Sequence, residues 1–409
     1  MDALAMKEEG AGAAEQRAVT LGSLFLTFLK IGSTAFGGFM ALISVVQNYA
    51  VERRRLLRQE DMLDGVSLAT VLPGPVAVNV VAYVGYRVRG GAGALVSTAA
   101  VILPSFLLLL GLSYAYFRFG QMPAVGRFFL GFIPAVAAII LVAAWNLGKK
   151  AVRGLPEALI AAAAAGLLLG VGGFLSTLGI IAASALAGWL VFREGPPESG
   201  GDPARSSPEK KDDRAGRQDL RGIAAGGLTA APVLGFNAAL TGKLLLTFGG
   251  MSVLLFGGGY VFIPMIQQIV VNGYGWVTRQ EFIDAIALGQ VTPGPILISA
   301  AFIGFKVAGP VGALAATIGI FTPPAAVMVL STRFLDRIKR SAAIKAVLRG
   351  IRPAVIGMIA AAAVTVARTA PVNGISILIF LSSLLALIRF KVETAWIIPA
   401  AGLAGLLLY

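Results

Sequence analysis

The chain has 409 residues, 57% of them apolar and only 13% charged, with a mean hydropathy of +0.83. Soluble domains carry roughly a quarter charged residues, so a soluble enzyme is a poor starting point. With neither cysteine nor histidine, the chain has no disulfide, thiolate nucleophile, imidazole base or usual zinc ligand. Its net charge of +14 fits basic loops held on the cytoplasmic side of a membrane better than nucleic-acid binding.

In chain order, residues 1–19 form a polar tail with Glu8, Glu9 and Glu15 where a secretory signal would be basic. A first membrane repeat spans 20–193. It begins with an element over 20–50 interrupted at Phe36-Gly37-Gly38, followed by 62–88, which Pro73-Gly74-Pro75 splits into two short pieces. At 1.5 Å per residue each piece reaches roughly 20 Å, short of a hydrocarbon core of about 30 Å, so the pair is expected to enter and return. Spans follow near 92–117, 127–148, 155–172 and 174–192. Residues 194–238 read as a mostly hydrophilic linker, rich in Pro, Gly, Ser and alternating charge. The second repeat, 239–409, runs in the same order, with Phe256-Gly257-Gly258 interrupting 240–271, Pro293-Gly294-Pro295 splitting 282–307, and spans near 311–332, 353–369, 373–388 and 394–408.

A constant shift of 220 positions lays Phe36-Gly37-Gly38 on Phe256-Gly257-Gly258, Asp64 on Asp284 and Pro73-Gly74-Pro75 on Pro293-Gly294-Pro295. After one deletion a shift of 219 lays Gly85 on Gly304 and Pro104 on Pro323. Ordered matches in one register indicate an internal duplication. One broken element and four spans give an odd number of crossings per half, which predicts an all-α polytopic membrane protein of two inverted repeats with broken, re-entrant helices. That topology gathers most Lys and Arg residues on one side, making it and the linker cytoplasmic. If the first Phe-Gly-Gly break makes two crossings instead, only the N-terminus changes sides.

Irregular backbone at membrane depth persists where protein or a watery cavity satisfies it. Each Pro-Gly-Pro can end one half-helix and begin another, leaving free N–H groups over Val76 to Asn79 and Ile296 to Ser299 that attract an anion. Two such starts facing each other near the midplane would form one site, with Thr292 as a further polar neighbour and the two Phe-Gly-Gly breaks as hinges. Against this stands the plainer reading of Pro and Gly as kinks and packing points. Lys30 lies within an apolar element as a positive partner for the anion, or as a side chain that snorkels to an interface. Asp64 and Asp284 are candidates for proton coupling, or for structural caps and salt bridges.

The combination of Phe-Gly-Gly, a polar stretch with Glu52 and Arg55, Leu72-Pro73-Gly74-Pro75, Gly85, Gly90 to Gly93 and Leu103-Pro104-Ser105 resembles the chromate ion transporter family in its long, two-domain form. The resemblance implies export of chromate, with sulfate as the related oxyanion, across the inner membrane by proton-motive force or exchange. Many members carry a histidine shortly after the first Gly-Gly and a glutamine four residues beyond Pro-Gly-Pro, where this chain has Ala41 or its neighbours and Asn79. The resulting expectation is a multi-pass inner-membrane secondary transporter of a small inorganic oxyanion working by alternating access, embedded in the lipid bilayer and needing no cofactor. A homodimer, a different solute or cation held by Asp64 and Asp284, and an intramembrane enzyme using them as a dyad all stay open.

Overall fold

The computed structural model describes residues 19–35, 38–54, 56–120, 122–171, 174–192, 238–255, 260, 262–334 and 341–409. Among these every regular element is helical, and four stretches, Val76–Phe119, Pro123–Lys149, Ile296–Phe334 and Ala342–Ala367, are long and apolar enough to cross a membrane. The chain is an all-α polytopic membrane protein. In the first half the helices are α1 (Leu21–Thr34), α2 (Gly38–Gln47), α3 (Gln59–Val71), α4 (Val76–Phe119), α5 (Pro123–Leu130), α6 (Phe132–Ala151), α7 (Leu155–Gly170) and α8 (Phe174–Phe192). The second half holds α9 (Ala238–Val253), α10 (Phe262–Ile266), α11 (Arg279–Val291), α12 (Ser299–Ser331), α13 (Ala342–Ala367), α14 (Gly374–Arg389) and α15 (Thr394–Leu408). The tail and nearly all of the linker lie outside the described residues.

Local chemistry sets several boundaries. Thr20 caps α1 by accepting from the Ser23 N–H at 3.1 Å, Asn373 caps α14 through Ser376 at 2.8 Å, and Thr278 and Glu281 form a reciprocal capping box on α11.

The duplication extends to backbone angles. α3 and α11 occupy matching positions in the two halves, and each is followed by a Pro-Gly-Pro turn whose glycine has positive φ, +105° at Gly74 and +107° at Gly294. Helix α4 is not one rod: Arg89 and Gly90 break it (Gly90 φ 62°, ψ −153°), and Ala308 and Gly309 break α12 in the same way (Gly309 φ 60°, ψ −152°). That region is essentially reserved for glycine. The arms fold back on themselves, as Gly85 touches Gly93, Gly304 touches Gly312, and Ser97 Oγ donates to Val81 O at 3.2 Å. Each helix therefore has a short arm (76–88, 299–307) and a long arm (91–119, 310–331).

The short arms pair with α3 and α11 as hairpins. Gly65 lies against Tyr83, and Arg87 Nη2 is 2.8 Å from Asp61 Oδ1; both pairings centre on Gly74. In the second half Gly289 lies against Ser299, and Lys306 Nζ is 2.8 Å from Glu281 Oε1. Each Pro-Gly-Pro is thus the tip of a helical hairpin whose mouth is closed by an ion pair. The half-helices of each pair fold back on each other.

The halves interlock through small residues. A Cβ on Gly131, at the start of α6, would lie 2.1 Å from Ala401 O of α15, and one on Gly350 of α13 would lie 2.1 Å from Ser184 O of α8. Backbones meet here because no side chain intervenes. Glu157 of α7, itself buried, accepts from Arg349 Nε of α13 at 2.9 Å and joins the halves again. Replacing Gly131 or Gly350 by Ala is expected to lower stability by about 1–3 kcal/mol, measured as the melting temperature of detergent-purified protein. Gly166→Ala, with open space around it, is the silent control.

Candidate functional site

Both hairpin tips reach the centre of the opposite half. The Gly74 N–H donates to Leu255 O at 2.5 Å and the Gly294 N–H donates to Ala35 O at 3.0 Å; Leu255 and Ala35 are the residues immediately before the two Phe-Gly-Gly breaks. A Cβ on Gly74 would meet Pro324 and one on Gly294 would meet Ser105, which are equivalent positions near the middle of the two long arms. Reciprocal contacts of this kind are those of a local two-fold. They set both tips at the same level of the long arms.

The mouths lie far apart. The first, Asp61 with Arg87, adjoins the turn that starts the long arm of α4. The second lies beside that arm's far end, where Lys306 Nζ sits 5.0 Å from the centre of the Phe117 ring and Tyr116 OH donates to Asp284 Oδ2 at 2.7 Å. From residue 91 to residue 116 is roughly 38 Å of helix, more than a hydrocarbon core.

Around the first tip, Pro73, Gly74, Pro75, Val76 and Asn79 are all buried. The Asn79 N–H makes the first intrahelical bond, to Pro75 O at 2.9 Å, so the N–H groups of Val76, Ala77 and Val78 have no partner within the helix. Asn79 is 0% exposed; its Nδ2 donates to Pro73 O at 3.0 Å and its Oδ1 has no partner. Pro293, Gly294, Pro295, Ile296, Thr292 and Ser299 are buried likewise, but this helix start is tightened into a 3₁₀ turn. Ile298 N–H donates to Pro295 O, and Ser299 N–H to Ile296 O and Leu297 O. The free N–H groups expected over Ile296 to Ser299 are therefore fewer than in the first half. Thr292 and Ser299 spend their hydroxyls on Gly289 O and Ile296 O.

Lys30 is exposed on α1, on the same face as Ser33 and Thr34. Of the proposed hinges, Gly38 begins α2; Phe36, Gly37, Phe256, Gly257 and Gly258 lie outside the described residues. Asp284 is 0% exposed, with Gln280 Nε2 donating to Oδ1 at 2.9 Å and Tyr116 to Oδ2. Its equivalent Asp64 is half-buried. The contrast runs along the whole helix. On α3 Ser67 and Thr70 are exposed, whereas their equivalents on α11, Ala287 and Gln290, are buried. Helices α6 and α15 cover α11, while α3 packs mainly on α4.

A separate groove of about 550 Å³ runs between the two long arms, lined by Leu95, Thr98, Ile102, Leu314, Thr317 and Phe321 among others. It is apolar and unsuited to an ion. The mouth ion pairs and the Tyr116 hydroxyl were not among the residues singled out from sequence. Their signal was present in the alignment of Asp61 with Glu281 and Arg87 with Lys306, and in the phenols of Tyr114 and Tyr116 at the end of an apolar span.

A family model described as Chromate transporter matches residues 22–189 and 242–406. The chain is 31% identical over 403 residues to a "Chromate transport protein" of Cupriavidus metallidurans, covering 95% of this chain and 94% of that protein. It is 31% identical over 407 residues to a "Chromate transport protein" of Pseudomonas aeruginosa, covering 94% and 92%. An "Uncharacterized transporter" of Bacillus subtilis matches over only 130 residues, 32% of this chain and 73% of that protein, at 32% identity. No solved structure matches.

The tips are expected to differ in tolerance. Alanine at either glycine meets a φ that L-residues rarely adopt, costing about 1–2 kcal/mol, but at Gly74 its Cβ also falls 2.2 Å from Pro324 Cβ, against 3.3 Å from Ser105 Oγ at Gly294. Gly74→Ala should lower the melting temperature more than Gly294→Ala; equal losses would contradict this packing.

Proposed function

The chain belongs to the chromate transporter family, and from that premise we propose that it is a secondary transporter carrying chromate out across the inner membrane, with the anion held at the Pro-Gly-Pro tips. The observation that carries the reading is that two buried helix starts are each anchored by a glycine N–H to the other repeat, beside the middle of the opposite long arm. Unpaired N–H groups and the helix dipole supply positive potential without a buried cation, so an anion can enter and still leave.

The repeats are inverted in this reading. Hairpins whose mouths lie at opposite ends of one long arm enter from opposite sides, the arrangement typical of transporters with broken helices. The side with Arg58, Arg87 and Arg89 is cytoplasmic, and so is the linker. Alternating access is supported by the unequal cover of the two hairpins. Equivalent helices with different burial are what a two-state carrier shows when one side is shut: α11 is sealed under α6 and α15, and α3 faces an open cytoplasmic vestibule. Exchanging the exposure of Ser67 and Thr70 with the burial of Ala287 and Gln290 would give the outward state.

Asp284 couples transport to protons. Its carboxyl is held by two neutral donors, Tyr116 and Gln280, so it can gain or lose a proton without losing its position. Asp64 is the equivalent group in the first hairpin.

Proteoliposomes test the activity directly: radiolabelled chromate should accumulate in response to an imposed pH gradient, and inertness to chromate and every other oxyanion would end the reading. Asp284→Asn should abolish gradient-driven accumulation while keeping chromate exchange. Because the chain has no cysteine, single reporters are clean. Cysteine at Ser67 or Thr70 should react with a membrane-impermeant maleimide in inside-out vesicles, and cysteine at Ala287 or Gln290 should not. Equal labelling of both pairs would contradict the sealed and open assignment.

A further inference from the structure

Resting on the reading of the first tip as an anion site, we propose that the site takes the hydrogen-bearing form of a tetrahedral oxyanion, with the ligand's own hydroxyl donating to Asn79 Oδ1. A glutamine or asparagine near a helix start is ordinarily counted as a donor to an anion. Here the side chain is turned the other way. Its Nδ2 is used on Pro73 O, within the turn itself, and this bond fixes which end of the amide is which. The end left over is a carbonyl oxygen, wholly buried and without a partner, and a buried polar atom in that condition calls for one. It lies in the first turn of α4, with the partnerless N–H groups of Val76, Ala77 and Val78.

The site therefore offers two opposite requirements within one turn. The helix start favours negative oxygens, and Asn79 Oδ1 repels them and accepts only a donor. A monoprotonated tetrahedral anion meets both, with its bare oxygens on the backbone N–H groups and its hydroxyl on Asn79. A fully ionised anion of the same shape would leave the carbonyl unsatisfied and face it with a lone pair. Chromate, phosphate and arsenate each keep one proton on part of their population near neutral pH, and sulfate does not. The second tip lacks this feature, because Ser299 Oγ already donates to Ile296 O. The first repeat thus sets specificity, and sulfate is disfavoured as a substrate although it is tetrahedral like chromate.

The test uses the full chain in liposomes with the same pH inside and out, so that no proton gradient drives flux. Chromate exchange at fixed total chromate should fall as pH rises, in step with the hydrogen chromate fraction. Phosphate and arsenate should compete, and sulfate should compete at least about tenfold more weakly, since sites built to bond a ligand hydroxyl reject analogues lacking it by large factors. Asn79→Leu should erase most of that preference, and Asn79→Gln, which keeps an acceptor, should retain it. Exchange that follows the dianion, or sulfate competing as well as phosphate in the unmodified protein, would overturn the inference while leaving chromate transport standing. So would an Asn79→Leu variant that exchanges chromate with the preference intact, since Oδ1 would then bind a structural water only. Failure to move any oxyanion would instead remove the transport reading and this inference with it.

Discussion

A peptide group deep in a bilayer has no water to bond, and the architecture turns on how two glycines meet that constraint. The Pro-Gly-Pro tips end their half-helices buried in the protein, where the N–H of Gly74 or Gly294 would be unsatisfied without a protein acceptor. Each instead donates to a carbonyl of the other repeat, at Leu255 and Ala35. Neither repeat can complete its own hairpin tip, so the two fold as one body. The carbonyls used belong to the residues just before the two Phe-Gly-Gly sequences, so each hairpin tip is tied to the other half at the corresponding position.

Around this centre the small residues act as spacers of zero thickness. Gly131 on Ala401 and Gly350 on Ser184 bring backbones together across the repeats, and Pro324 and Ser105 form the surfaces against which the tips rest. The charged residues work at the other end of each hairpin. Asp61 with Arg87 and Glu281 with Lys306 close the hairpin mouths, where half-exposed pairs of this kind contribute little stability each but fix the register of two helices that no loop contact would hold. Their acidic members sit in first helical turns, where the dipole favours them.

The departure from symmetry is where function enters. Two hairpins of the same backbone geometry have different surroundings, one sealed with a buried Asp284 held by Tyr116 and one open along Ser67 and Thr70. The tips differ too, since the second is tightened by 3₁₀ bonds and the first keeps three N–H groups and an amide oxygen unspent. A duplicated scaffold thereby leaves an unpartnered amide oxygen at the tip of one repeat and a buried, hydrogen-bonded carboxyl in the hairpin of the other.

Sequence by itself determined the elements and their repetition. Hydropathy blocks located most of the helices to within a few residues because apolar length is a local property, although α13 begins at Ala342, well before the expected 353, and Pro-Gly-Pro marked the hairpin tips because proline and positive-φ glycine act on their own backbone. The return of the half-helices was legible from their length alone. Tertiary structure decided what no local rule could. The glycine N–H bonds cross between repeats, and the Tyr116 hydroxyl that donates to Asp284 comes from a helix 168 residues away in sequence. Asn79 shows the limit most clearly. Its residue type allows it to donate or to accept, and only the carbonyl of Pro73, brought within 3.0 Å by the turn, leaves the acceptor free.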